Sequence, residues 1–369
     1  MRKEWSVMLA LGLVGAACGT DREPSGTSSS TSPLETRGSG AGTKIAAAVN
    51  QTVLVTDDKN PDLVNAWGLA FAPTGRAWIA DNGSGKASIY DGNISLVSTR
   101  KIPAPSGTDT SAPTGLVLND HPKAFDGDAF IAATEDGTIV GLPASGDGTI
   151  RVDNSGNNAV YKGVTIASSG GQPRIYATNF HANKVEVFDE GYKQVNLAQD
   201  AFTDSTIPSD FAPFNVAAIG GVVIVTYAKQ NDQKHDDVKG AGNGFINAFD
   251  ADGNLLSRVV SNGPLNSPWG MAVTPDAFGN VPHRLLVGNF GDGAINVFDV
   301  DIHDKGLVAT FEGAIGDAQN QPLAIDGLWS LRFAPSAGGF DSHQLFFTAG
   351  PNDEKKGAFG RLDLVTTPR

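Results

Sequence analysis

The sequence predicts an all-β protein built from repeated small sheets, and three observations carry that expectation. Trp67-Gly68-Leu69-Ala70-Phe71-Ala72-Pro73 returns as Trp269-Gly270-Met271-Ala272-Val273-Thr274-Pro275 and as Trp329-Ser330-Leu331-Arg332-Phe333-Ala334-Pro335, with weaker copies starting at Thr114, Lys162 and Phe214. Each copy alternates apolar and small residues with period two, the mark of a strand whose two faces differ. Glycine supplies 45 of the 369 residues, well above an average share of roughly 7%, and apolar runs are short and bounded by turn residues.

The elements of one repeat follow from the same pattern. After each copy comes a second strand ending in a polar residue, a loop, and a third strand, clearest at Val185–Asp189, Ile246–Asp250 and Ile295–Asp299. Turn signals such as Asp252-Gly253-Asn254 then lead to an outer strand. Four strands per repeat, arranged radially, describe a propeller blade, and six copies predict a six-bladed β-propeller. The segment Gln51–Thr56 is a strand without a repeat of its own. It is expected to be the outer strand of the sixth blade, closing the ring and hiding sheet edges. A pair of β-sandwiches would leave the repeat without a cause.

The N-terminal region reads as an address. Arg2 and Lys3 precede an apolar run from Trp5 to Ala17, too short to span a bilayer and laid out like a secretory signal. Its end, Leu13-Val14-Gly15-Ala16-Ala17-Cys18, resembles a bacterial lipoprotein signal, which implies lipidation of Cys18, the sole cysteine of the chain. The alternative is a plain cleaved signal with an incidental cysteine. Residues 1–18 are thus assigned to signal and lipidation site, and 19–45, rich in Ser, Thr, Gly and Pro, to a disordered linker. Residues 46–369 form the propeller domain. The expected location is extracytoplasmic, as a membrane lipoprotein facing periplasm or cell surface.

Composition removes several functions. With 40 acidic and 27 basic residues the formal charge is −13, which argues against nucleic acid as a partner. One cysteine excludes a disulfide framework and a multi-thiolate zinc site. Gly85-Lys86-Ala87 lacks the hydroxyl residue of a phosphate loop, and Asp250-Ala251-Asp252-Gly253 lacks the remaining ligands of an EF-hand loop.

Several stretches together resemble a family of exported bacterial propeller proteins of uncharacterised activity, over about residues 50–365. They include Ala133-Thr134-Glu135-Asp136-Gly137-Thr138-Ile139, Tyr176-Ala177-Thr178-Asn179-Phe180-His181-Ala182, Leu286-Val287-Gly288-Asn289-Phe290-Gly291-Asp292-Gly293 and Phe347-Thr348-Ala349-Gly350-Pro351. The strand layout is more distantly similar to NHL-repeat and gluconolactonase-type propellers. That second resemblance implies a fold and a metal-dependent lactone hydrolysis, although the acidic ligand and catalytic acid of that family find no match in this chain.

The expected site is the channel mouth, where loops of all repeats converge. The second strands end at Asn82, Glu135, Asn179, Lys229, Asn289 and Gly350, which should ring one axis. Glu135, Asn179, Asn289 and Asn82 are oxygen donors suited to Ca²⁺, with Asp81 and Asp136 adding charge. Lys229 opposes a metal there and can instead pair with Glu135 in a neutral network. His181 and His235 fall in loops on the same face and are the candidates for a general base, against the reading of both as surface residues. The long loop Lys229–Gly244 is either an arm over the mouth or a solvated insertion. Trp67, Trp269 and Trp329 are either a stacking surface for a sugar or wedges between blades.

The expected function is therefore a binding module for a small molecule or protein ligand, without an enzymatic set of acid, base and nucleophile. The alternative is a Ca²⁺-dependent hydrolase of lactones or esters, with Glu135, Asn179 and Asn289 holding the metal.

Overall fold

The structure, a computed structural model, describes residues 43–106, 110–276, 278–303 and 306–365. The signal segment, Cys18 and nearly all of the linker lie outside the described residues. The first strand, β1 (Ile45–Thr56), begins one residue inside the span assigned to the linker and is twice as long as Gln51–Thr56.

Small antiparallel sheets then follow in chain order. The first is β2 (Ala66–Ala72), β3 (Arg76–Asp81), β4 (Lys86–Tyr90) and β5 (Leu96–Lys101). The second is β6 (Pro113–Leu118), β7 (Phe130–Thr134), β8 (Thr138–Leu142) and β9 (Thr149–Asp153). The third has three strands, β10 (Tyr161–Ser169), β11 (Gln172–Asn179) and β12 (Lys184–Phe188). Its expected outer strand is reduced to one bridge between Phe188 and Gln194, in a turn-rich stretch where Asp189 bonds the Gly191 and Lys193 amides instead of a ladder. The fourth is β13 (Phe211–Ile219), β14 (Val222–Lys229), β15 (Phe245–Phe249) and β16 (Leu255–Ser261).

The remaining strands are β17 (Pro268–Val273), β18 (Arg284–Asn289), β19 (Ile295–His303), β20 (Gly306–Gly316), β21 (Leu328–Phe333), β22 (Leu345–Ala349) and β23 (Ala358–Leu364). They make one eight-stranded sheet in the order β17-β18-β19-β20-β1-β23-β22-β21. Its two halves are joined by β1. The first residues of β1 run parallel to β20, with Ile45 opposite Ala314, and its remainder runs antiparallel to β23, from Val49 opposite Leu364 to Thr56 opposite Ala358.

The innermost strands pack side by side in the order β2, β6, β10, β13, β17, β21, and β21 also packs on β2. Glycine makes this approach possible at two clear places. A Cβ at Gly68 would lie 2.4 Å from the Thr114 carbonyl oxygen, and one at Gly115 2.7 Å from the Val164 nitrogen. Side-chain hydroxyls then tie neighbouring sheets together at three places. Thr114 donates to the Tyr161 carbonyl at 2.8 Å, Thr178 to the Phe214 carbonyl at 3.1 Å, and Thr348 to the Trp67 carbonyl. Apolar cores lie between successive sheets. Trp78 stacks on Phe130 at 4.4 Å between the first and second, and Phe202 bridges Tyr176 of the third to Phe249 of the fourth. Among the described residues no helix is long and apolar enough to cross a membrane.

Candidate functional site

Strand register decides which side chains reach the axis. In each sheet one residue of the innermost strand closes against the second strand: Ala66 opposite Asp81, Pro113 opposite Thr134, Tyr161 opposite Asn179, Pro213 opposite Tyr227, Pro268 opposite Asn289, Leu328 opposite Ala349. The residue just after each partner forms the ring at the mouth: Asn82, Glu135, Phe180, Ala228, Phe290 and Gly350. Phe180, Ala228 and Phe290 join Trp67, Phe214, Trp269 and Trp329 in a single apolar cluster. The polar members of the ring are Asn82 and Glu135, joined by a hydrogen bond.

The aromatic cluster forms a layer across the channel. Trp329 is sandwiched between Trp67, with ring centres 3.6 Å apart, and Phe290, 3.8 Å apart, while Trp269 meets Trp329 edge-on. All three tryptophans are buried, so they act as wedges and offer no exposed stacking surface. Lys162 holds the same repeat position as Trp67, Trp269 and Trp329. Its side chain is 2% exposed, and its ammonium lies 5.2 Å from the Trp67 ring centre and 5.8 Å from that of Phe180.

Around this buried ammonium the structure gathers acids. Lys162 donates to Glu135 and lies 3.6 Å from Asp236. Asn82 Nδ2 donates to Glu135 at 2.9 Å, and Asn65 Nδ2 donates to Asn82 at 3.1 Å and to Glu354 at 2.7 Å. Gly350 permits this reach, since a Cβ there would sit 2.1 Å from Asn65 Oδ1. The Asn65 oxygen in turn accepts the Trp329 indole N–H at 2.8 Å. The loop between β14 and β15 supplies His235, Asp236 and Asp237. It turns back on itself through Asn231 N to the Asp236 carbonyl and Val238 N to the Lys229 carbonyl.

Electrostatics follow from this crowding. Burial pulls the Lys162 pKa down, but the Glu135 carboxylate beside it, with Asp236 and Asp237 behind, holds it above the ordinary lysine value. Burial raises Glu354, and the Glu135 charge raises it further. Burial likewise raises Asp237 and Asp136. The hydrogen bond from His235 Nδ1 to Asp236, 2.7 Å long, raises His235 and lowers Asp236. Ligand atoms of Glu135, His235 and Asp236 lie within 4.8 Å of one another. The indole nitrogens of Trp67 and Trp269 are enclosed without a protein partner.

The structure redistributes the expected ligands. Glu135 and Asn82 come together; Asn179 and Asn289 do not join them. Both stand one residue before the ring position, and one residue along a strand reverses the face. Asn179 instead accepts the Val160 and Ala182 amides at 3.3 and 3.1 Å, and Asn289 donates to the Pro264 carbonyl at 2.8 Å and to Asp292 at 3.1 Å. Lys229 lies one residue past the ring and faces Asp210 at 3.3 Å. The cation paired with Glu135 is therefore Lys162, not Lys229. Asp81 is buried and accepts from Ser88 at 2.6 Å, and Asp136 accepts the Ala112 amide at 2.7 Å. His235 reaches the cluster, whereas His181 lies outside the group formed by Glu135, His235 and Asp236. The signal for Lys162 was present in the sequence as a lysine where sister repeats carry tryptophan. Asn65 and Glu354 carried none, because loops of the first and last repeats meet only through the ring.

No family model matches the chain. Two uncharacterised proteins of Acanthamoeba polyphaga mimivirus are each 29% identical to it, one over 322 residues (82% of this chain, 76% of that protein) and one over 324 (82% and 81%). Among solved structures, virginiamycin B lyase from Staphylococcus aureus superposes with a TM-score of 0.53 at 12% identity, covering 86% of this chain and 99% of that one. A calcium-binding protein, regucalcin, from Agrobacterium tumefaciens gives 0.52 at 14%, covering 87% and 96%. The relatives found are viral, so the resemblance to exported bacterial proteins holds only in its coarser form. At such identities the structural likeness shows the fold: the chain is an all-β, propeller-like protein.

Proposed function

We propose that this chain is a six-bladed β-propeller, closed by β1 pairing with β23, that binds a small cationic ligand at the mouth around Lys162 and does no chemistry on it. The blade count is supported by the circular packing of six innermost strands and by the apolar cores between neighbouring sheets. The observation that carries the binding reading is the charge at the mouth. Carboxylates of Glu135, Asp136, Asp236, Asp237 and Glu354 gather there, and among the described residues the cations set against them are Lys162, Lys239 and the His235 imidazole. Such a cluster favours an added cation that also offers N–H donors, an organic amine or guanidine, over any anion.

Calorimetric titration of the purified chain with agmatine and cadaverine tests this. Saturable binding is expected, weakened at least about tenfold in Asp236→Asn/Asp237→Asn and reduced by raised salt. Absence of binding by either amine at roughly millimolar concentration would remove the reading.

A second reading rests on Glu135, His235 and Asp236, whose ligand atoms suit a divalent ion. An imidazole among carboxylates favours Zn²⁺ or Mn²⁺ over the Ca²⁺ expected from Glu135 and the three asparagines. Lys162 already occupies the carboxylates as a resident cation, so a metal must displace it. Melting curves with Zn²⁺, Mn²⁺, Ca²⁺ and EDTA separate the two readings: a metal site raises Tm with Zn²⁺ or Mn²⁺ and loses that gain in His235→Ala. EDTA-sensitive hydrolysis of a lactone or ester would extend this reading to a hydrolase.

Export and lipid attachment belong to the same proposal. Palmitate labelling should tag the protein through Cys18, and Cys18→Ser should remove the label; labelling that survives the change overturns it.

A further inference from the structure

We infer that the other end of the channel, beyond the tryptophan layer, is a second binding site that takes a small organic carboxylate with an apolar body. A cavity of about 470 Å³ lies there among the innermost strands, with Trp269, Asn215 and Ser330 at its floor and Leu116, Val164 and Met271 in its wall. None of the acids around Lys162 lines it. The site is thus independent of the proposed amine site.

One residue gives the cavity its chemistry. At the fourth position of the repeat the other copies carry Ala70, Val117, Thr165, Ala217 and Ala272, and the sixth carries Arg332. The guanidinium has five N–H donors. Among the described residues its hydrogen bonding to protein is one contact, from Nε to the Leu69 carbonyl at 3.5 Å, and no carboxylate lies within ion-pair distance. Asp120, the acid on the cavity lining, is 3.3 Å from His121. Arg332 keeps exposed surface because it faces the lumen, yet strand walls enclose it, and that confinement lowers its pKa from the usual guanidinium value. Among the described residues no carboxylate pairs with it directly, so its remaining N–H donors are open to a ligand.

The rest of the lining chooses the ligand class. The floor amide of Asn215 is consumed, donating to the Trp269 carbonyl at 2.6 Å and accepting the Val216 amide at 2.8 Å. The wall is otherwise largely aliphatic. A single planar cation matches one carboxylate, held by two parallel N–H bonds, and the aliphatic side chains Leu116, Val164, Val216, Met271 and Leu331 around it offer contact to an apolar body, between the polar groups of Asp120, Thr165 and Ser330. A phosphate dianion would call for more donors than this lining offers.

The test uses the full chain, and Trp269 at the floor makes tryptophan emission the readout. The probes are 4-phenylbutyrate and octanoate, with 4-phenylbutanol as neutral counterpart and inorganic phosphate as a bare anion. Saturable quenching or enhancement by the carboxylates is expected, with the alcohol and phosphate at least about tenfold weaker. Arg332→Gln should weaken carboxylate binding by a similar factor, Arg332→Lys should restore part of it, and Arg332→Gln should leave the melting temperature and the amine titration unchanged. Ala217→Phe, which fills the lumen without touching the charge, should block the carboxylates as well. The inference is overturned if neither carboxylate saturates by roughly 5 mM, if phosphate binds as well as they do, or if Arg332→Gln and Ala217→Phe both leave affinity within twofold.

Discussion

Lys162 shows how one residue can reverse the meaning of a repeat position. Where sister repeats place an indole, the third places an ammonium that is 2% exposed and compensated by Glu135 and Asp236. Removing one partner of such a buried pair leaves the other's desolvation uncompensated. Lys162→Met is accordingly expected to cost about 3 kcal/mol in urea unfolding at pH 7. Because the folded pKa of Lys162 is raised, its contribution is complete below the ordinary lysine range and is lost only as pH rises through the folded value. Asp81 is the opposite case. Burial raises its pKa well above the usual carboxylate value, and its Oδ1 has no partner. A raised carboxylate favours the folded state at low pH and loses that stability as pH climbs from the ordinary value toward the folded one. Asp81→Asn should therefore be more stable than the parent at pH 7, by about 1–2 kcal/mol, with the difference gone near pH 3.5. Urea midpoints at the two pH values check this.

At the scale of elements, close strand approach and loop length do most of the positioning. Gly68 lets β2 lie against β6; an alanine Cβ would meet the Thr114 carbonyl oxygen at 2.4 Å, and backbone cannot step aside as a flexible side chain can. Gly68→Ala is expected to lose about 2–3 kcal/mol, measured by denaturant unfolding, whereas Gly156→Ala, with open space around it, should change little. The loop between β14 and β15 carries His235, Asp236 and Asp237 to the mouth without contributing to a sheet beyond one bridge, Gln230 to Asp237. Replacing residues 231–243 by a short turn should abolish amine binding and keep the sheet signature in circular dichroism. Collapse of that signature would show that the loop is structural.

At the scale of the whole molecule, the proposed closure of the ring rests on β1. It pairs with β23 along Val49–Thr56 and touches β20 at its start. Loss of β1 exposes the edges of β20 and β23, which invites aggregation. A chain starting at residue 43 is expected to melt as the full chain does, whereas one starting at residue 58 should aggregate or melt far lower, as read by calorimetry and light scattering. Equal melting of both would remove β1 from the closure of the ring.

The repeat, the all-β class and the extra strand before the first copy were legible in the sequence because period-two alternation and glycine placement are local properties. Glu135, Asn82 and His235 were legible for the same reason, as polar residues at the ends of strands and in a long loop. Asn179 and Asn289 were misplaced because the face of a strand residue depends on register, and a bulge between paired positions such as Tyr161 and Val164 has no local signature. Asn65 and Glu354 are 289 residues apart, and only the ring makes them neighbours. The sequence alone determined that this chain folds as repeated sheets around an axis. The tertiary structure decided which side chains face that axis, and it set the Lys162 ammonium beside Glu135. Secondary structure is set by neighbours along the chain, whereas a site is set by neighbours across it.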